Sequence, residues 1–246
     1  MIPILAVIPA RYNSQRFPGK VLAKIGDKPM VQWVYEAAQQ CPAFTKVLVA
    51  TDSEKVANCV RHFGGEVEMT RSDHLTGSDR VAEVAQRYPD MVAIANVQGD
   101  QPFVTPSMLT ELVHPYLSGE LPDMTTLACP LEHNAGYSDP NVVKVICDQK
   151  QQALYFSRSP IPYYRNMGSA PVFHHLGLYA FRRDFLSGYA QLQPTPLEQC
   201  EALEQLRVLE HGYRIRVCQT PVAVMEVNTP EEFEKAQSLV MEHSLR

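Results

Sequence analysis

Residues 4–20 read Ile4-Leu5-Ala6-Val7-Ile8-Pro9-Ala10-Arg11-Tyr12-Asn13-Ser14-Gln15-Arg16-Phe17-Pro18-Gly19-Lys20, an apolar run that gives way at once to a basic loop. A short apolar run without polar alternation is the mark of a strand buried on both faces, as in parallel sheets covered by helices. The opening has no basic segment before it and no cleavage-site pattern, and it is far shorter than the roughly 20 residues that span a bilayer. It therefore reads as a buried first strand of a cytoplasmic protein that has no membrane partner.

Working outward, apolar runs at 46–50 and 91–97 repeat the strand signal. Between them Met30, Trp33, Val34, Ala37 and Ala38, then Val56, Cys59, Val60 and Phe63, recur at helical spacing. Strands alternating with helices predict an α/β fold: a three-layer, Rossmann-like arrangement around a mostly parallel central sheet. In such sheets ligands sit where strand carboxyl ends open into loops, which directs attention to the loops after Ile8 and Val97. The second half changes character. Strand signals at 127–130, 142–146, 153–157 and 174–181 are joined by Pro-rich connections, which predicts a partly antiparallel extension. One helix is expected over 196–211, with Leu203, Leu206 and Leu209 on its core side, then a strand over 214–219. Thr229-Pro230-Glu231-Glu232 predicts a capping box that starts a last helix. The expected organisation is one domain over 1–246 with an inserted region at about 125–195.

Composition sets outer limits. With 246 residues, 45% hydrophobic, the chain can bury a sizeable core. A net charge of -5 leaves no global positive field for a nucleic-acid backbone, so no nucleic-acid partner is expected and anion binding must be local. Six scattered cysteines without a C-x-x-C pair read as reduced core thiols, and the histidines lack metal-site spacing.

Three segments carry chemistry. The loop from Pro9 to Lys20 gathers Arg11, Arg16 and Lys20 with Ser14 and a glycine; guanidinium forks and an ammonium suit phosphate oxygens, although a solvated turn has the same composition. Asn96-Val97-Gln98-Gly99-Asp100-Gln101 puts a carboxylate past a strand end behind a glycine, placed either to hold magnesium against a triphosphate or to serve the turn. Arg71, Asp73, Ser78 and Arg80 lie in a polar stretch suited to base-edge hydrogen bonds, or to a helix start capped by Ser78.

In this order the three segments resemble the cytidylyltransferases that make CMP-3-deoxy-manno-octulosonate (CMP-Kdo). The likeness continues through Asn141-Val142-Val143-Lys144-Val145, Tyr155-Phe156-Ser157-Arg158-Ser159-Pro160, His175-Leu176-Gly177-Leu178-Tyr179, Leu203-Glu204-Gln205-Leu206-Arg207 and Val227-Asn228-Thr229-Pro230. It spans nearly the whole chain and implies a nucleotidyltransferase fold. The resemblance places CTP on Ala10, Arg11, Ser14 and Lys20, with Arg16 assisting, and cytosine and ribose on Arg71, Asp73, Ser78, Arg80 and Gln98. It makes Lys20, Arg11 and Asp100 catalytic, with Mg2+ at Asp100. It assigns a 2-keto-3-deoxy sugar acid to Arg158, His175, Tyr179, Glu204 and Gln205, and it implies a homodimer that serves lipopolysaccharide or capsule synthesis.

Without the resemblance, His175 and Tyr179 share a strand face that could simply be buried, and Glu204 could lie on a solvated helix surface. Two departures from the family pattern stand out: Asn228 replaces the aspartate that ligates magnesium in the family, and Gln101 replaces a frequent glutamate. Both lower the local negative charge, while the carbonyl oxygen of asparagine can still meet a hard cation. They leave two rival readings, a cytidylyltransferase for a related acid such as 8-amino-Kdo and a catalytically impaired nucleotide-binding homologue. The stretch 163–171 is where a different acid would be read.

Overall fold

The computed structural model describes residues 2–13, 16–74, 76–132, 136–166 and 170–244, the side chains of 242–244 excepted. The strands are β1 (Ile4–Pro9), β2 (Lys24–Ile25), β3 (Lys28–Pro29), β4 (Lys46–Thr51), β5 (Val67–Met69), β6 (Ala93–Asn96), β7 (Met124–Pro130), β8 (Lys144–Cys147), β9 (Ala153–Ser157), β10 (Phe173–Arg182) and β11 (Ile215–Gln219). The helices are α1 (Met30–Gln39), α2 (Glu54–His62), α3 (Gly77–Ala85), α4 (Pro106–Leu117), α5 (Arg183–Tyr189), α6 (Pro196–Glu201), α7 (Gln205–Glu210) and α8 (Pro230–Ser244), with a 3-10 turn at Lys20–Leu22. The chain forms two compact units, 1–110 with 224–246, and 111–223.

In the first unit β6, β1, β4 and β5 lie side by side and all parallel. Ile4, Leu5, Ala6, Val7 and Ile8 have no exposed surface, as the unbroken apolar reading requires of a central strand covered on both faces. Helix α1 buries Met30, Val31, Val34, Tyr35 and Ala38, whereas Trp33 and Ala37 are only partly buried. The Trp33 indole packs on the core formed by Ile25, Met30, Val227 and Ala236 and donates to Ile25 O at 3.0 Å. The capping box at 229 forms: Glu232 N donates to Thr229 Oγ1 (3.3 Å) and Thr229 N to a Glu232 carboxylate oxygen (3.0 Å). Helix α8 thereby starts at Pro230, and its Phe233 meets Phe17 of the basic loop edge-on, ring centroids 5.5 Å apart.

In the second unit β7 pairs parallel with β11 and antiparallel with β10, while β8 pairs antiparallel with both β10 and β9. This is the antiparallel extension expected from the irregular second half. Between His175 and Tyr179 the β10–β7 register shifts at Gly177, whose φ is 66°. The single helix expected over 196–211 is two, α6 and α7, broken where Ala202 takes the left-handed conformation (φ 51°). Leu203 and Leu206 are buried and Leu209 is half-buried. The six cysteines are free thiols, but Cys200 is exposed and Cys59 and Cys147 are half-buried, so only Cys41, Cys129 and Cys218 are core thiols. Among the described residues no helix is long and apolar enough to cross a membrane.

Candidate active site

At the tip of β1 the Ala10 amide bonds Ala50 O (2.9 Å), which carries the β1–β4 ladder one residue past the strand end. The loop turns back at Gly19, whose φ of 73° favours glycine and whose N–H closes the loop on Tyr12 O (2.7 Å). The 3-10 turn that follows points Lys20 inward, leaving it 8% exposed. Its ammonium donates to Asp100 Oδ2 (2.6 Å), Asn228 Oδ1 (3.1 Å) and Val227 O (3.2 Å). The basic turn after β1 and the carboxylate after β6 thus meet, and Gly99 makes the meeting possible: a Cβ there would lie 3.0 Å from Pro9 O. Both turns line one cleft of about 540 Å³, together with Arg11, Arg16 and Gln98. Arg11 Nη2 is buried with no hydrogen-bond partner among the described residues, a donor suited to an anion. Ser14 lies outside the described residues.

Arg16 Nη2 also donates to Asn228 Oδ1 (3.2 Å), while Asn228 Nδ2 donates to Glu226 (3.0 Å) and Gln101 Nε2 donates to the other Glu226 oxygen (3.1 Å). Although Glu226 as a residue is exposed, the crowding of its carboxyl by protein atoms, and after that Asp100, raises it above the ordinary carboxylate range, against Asn228, Gln101 and Lys20. Sequence reading missed Glu226, although its i,i+2 spacing from Asn228 in an extended segment was a signal. Asp100, Asn228 and Val227 offer one carboxylate, one amide and one main-chain oxygen to a single cation. Hard oxygen donors of this kind fit Mg2+, which takes one or two carboxylates and completes its shell with other oxygens, phosphates and water. Among the described residues no group of three or more His, Cys, Asp or Glu side chains converges as a self-sufficient metal site.

The polar stretch before α3 is organised by a residue that sequence reading also missed. Glu83 accepts from His74 Nε2 (2.5 Å), the Arg71 amide (3.1 Å) and Arg87 (2.5 Å). These bonds hold its carboxyl below the ordinary range despite desolvation, which alone would raise it. Arg71 and Asp73 pair at 3.2 Å and stay exposed. The helix cap is Thr76, in a reciprocal box with Asp79, and not Ser78; the hydroxyl that caps must stand one residue before the first helical turn, and Ser78 lies inside that turn. Ser78 is buried, accepting from Asn96 Nδ2 (3.3 Å). Arg80 is fully buried; it bonds Thr70 Oγ1 and Arg71 O and lies 3.5 Å from Asp52. Burial lowers its guanidinium pKa, with Asp52 opposing.

In the second unit the structure brings His175, Tyr179 and Gln205 into one buried chain. Thr126 Oγ1 gives its only proton to Leu178 O (2.7 Å), so His175 Nε2 donates to Thr126 (2.9 Å) and Nδ1 accepts from Gln205 Nε2 (3.5 Å). Gln205 Oε1 in turn accepts from Tyr179 (3.1 Å). Burial, reinforced by His174, pushes the His175 pKa down to about 3, so the imidazole is neutral. The two rings lie 5.6 Å apart, on the shared face expected of them despite the bulge. Glu204 is half-buried and accepts from Tyr189 (3.3 Å). Arg158 is aimed by Glu201, which sequence reading missed because 43 residues separate them: Glu201 takes the Arg158 amide (2.9 Å) on its carboxylate and the Arg158 Nε–H (2.7 Å) on its main-chain oxygen.

A parallel sheet with a basic turn and a carboxylate joined at neighbouring strand tips is the framework of a nucleotidyltransferase. The family model described as cytidylyltransferase matches residues 5–215. A relative from Acaryochloris marina is 64% identical over 239 residues (97% of this chain, 98% of its own), and one from Geobacter metallireducens is 49% identical over 243 residues (94% and 95%); both are named 3-deoxy-manno-octulosonate cytidylyltransferase. The solved structure of a CMP:2-keto-3-deoxy-manno-octonic acid synthetase complexed with CTP superposes with a TM-score of 0.93 at 41% identity, covering 98% of this chain and 99% of that one. The chain belongs to the 3-deoxy-manno-octulosonate cytidylyltransferase family. A 4-diphosphocytidyl-2C-methyl-D-erythritol synthase from Anaerococcus prevotii shares the fold alone, with a TM-score of 0.64 at 10% identity.

Proposed function

We propose that this protein transfers CMP from CTP to the anomeric hydroxyl of 3-deoxy-manno-octulosonate, giving CMP-Kdo and pyrophosphate. The observation that carries the reading is the 2.6 Å contact between Lys20 and Asp100, which ties two turns of opposite charge to one triphosphate-sized cleft. Lys20 and Arg11 bind phosphate oxygens and offset the charge that builds on the departing pyrophosphate. Arg71, Asp73 and Gln98, with the backbone of Ala10, seat cytosine and ribose, the buried Ser78 and Arg80 support that wall from behind, and Arg16 assists at the phosphates. Arg158 forks the sugar carboxylate; Glu204 and the buried chain of His175, Tyr179 and Gln205 shape the site for its hydroxyls. His175, neutral and held by Thr126 and Gln205, is no general base. Asp100 and Asn228 would hold Mg2+, which when bound would supply charge at the α-phosphate and acidity to the attacking hydroxyl. The remaining work is alignment of nucleophile and leaving group.

The relatives' shared name favours the octulosonate over an amino-substituted acid. Homodimerisation, a cytoplasmic location and a destination in lipopolysaccharide or capsule belong to the same reading and rest on family resemblance. The test is pyrophosphate release with CTP, 3-deoxy-manno-octulosonate and a Mg2+ titration. Rapid release dependent on all three supports the reading; CTP binding without release at any Mg2+ concentration refutes it.

A further inference from the structure

Asn228 has donors on one side and a carboxylate on the other. Its Oδ1 accepts from both the Lys20 ammonium and Arg16, and its Nδ2 donates to Glu226. Flipping the amide would set Oδ1 against the Glu226 carboxylate and the NH2 group against two cations, so only one orientation is tolerated. Glu226 is held in turn by Gln101 Nε2, and Gln101 has no exposed surface. One carboxylate therefore orients two amides, at the two positions where this chain lacks a negative charge.

We propose that Glu226 is a positioning residue that holds the Asn228 oxygen on the cation and returns to the cleft the charge that asparagine lacks. It acts through Asn228, so the metal meets an amide oxygen polarised by an anion directly behind it. The proposal rests on the Mg2+–CTP reading of the cleft and goes beyond it by naming the group that replaces the missing carboxylate.

The experiment measures Mn2+ affinity of the protein–CTP complex from the EPR signal of free Mn2+, with the Mn2+–CTP blank subtracted and no sugar acid present. Glu226→Gln is expected to bind about tenfold more weakly, the lower end of what outer-shell partners contribute. Adding Asn228→Asp to that variant moves the charge onto the ligand itself and is expected to restore affinity to within about threefold of wild type. A purely structural Glu226 would not be rescued in this way. Should Glu226→Gln fail to fold, Asn228→Asp alone carries the test: with Glu226 already supplying the charge, affinity rises less than about threefold. Wild-type affinity in Glu226→Gln, no rescue by the second change, or a tenfold gain in Asn228→Asp alone overturns the proposal. Absence of CTP-dependent Mn2+ binding in the wild type would instead sink the reading of the cleft itself.

Discussion

Gly99→Ala is the sharpest probe of how the two strand tips cooperate. The new methyl would stand 3.0 Å from Pro9 O, 3.5 Å from Ile8 Cγ2 and 3.9 Å from Ala10 Cβ. Pro9 cannot easily yield, because β1 is paired on both sides and its register with β4 runs through Pro9 and Ala50. The Gly99 turn must move instead, by a few tenths of an ångström, and it carries Asp100 away from Lys20. Overpacking of this kind costs about 1–3 kcal/mol, or roughly 2–12 °C in Tm for a chain of this size. Since a 1 Å misplacement can cost about a hundredfold in rate, a shift of this size should lower kcat/KM about tenfold. Differential scanning calorimetry and the pyrophosphate assay read the two effects separately. Unchanged Tm together with kcat/KM within twofold of wild type would show that the tips are not held at contact distance.

Asp100→Ala should abolish pyrophosphate release while the circular dichroism spectrum stays native; retained turnover would remove Asp100 from the metal role. Glu201→Ala should raise KM for the sugar acid about tenfold, with CTP affinity measured by calorimetry unchanged, because the Glu201 carboxylate fixes the Arg158 main chain, from which the guanidinium projects, through a charge-assisted bond of roughly 1.5–3 kcal/mol. His175 makes stability pH-dependent. Its folded pKa of about 3 lies below the ordinary 6.5, so the unfolded chain binds a proton that the folded one refuses, and stability falls as pH drops from 6.5 towards 3. The fall in Tm between pH 7 and pH 5 should shrink in His175→Gln, and an undiminished fall would refute the assignment.

The parallel half was legible because its signals are local. Five consecutive apolar residues identify β1, strand β9 falls on the 153–157 expected of it, and Thr229 with Glu232 marks the start of α8. The convergence of Lys20 with Asp100 followed from their places after neighbouring strands of a parallel sheet. Other features depend on context that a linear pattern lacks. Leu203, Leu206 and Leu209 all follow Ala202, and alanine is itself a strong helix former, so nothing announced the left-handed break between α6 and α7. Ser78 and Thr76 carry the same hydroxyl, and only Asp79 three residues after Thr76 separates cap from core. Glu83, Glu201 and Glu226 look like surface carboxylates in the sequence; each has its role through donors that folding brings to it.

Two of the three oxygens that receive the Lys20 ammonium lie 207 and 208 residues further along the chain, the third, on Asp100, only 80. During synthesis the basic turn emerges long before its counterparts, so a ribosome-bound chain of the first hundred residues holds three cations with none of the acceptors from 227 and 228. The ring of Phe17 likewise waits for Phe233. The Lys20 cluster is therefore completed late in biogenesis, only when the closing segment docks onto residues made first.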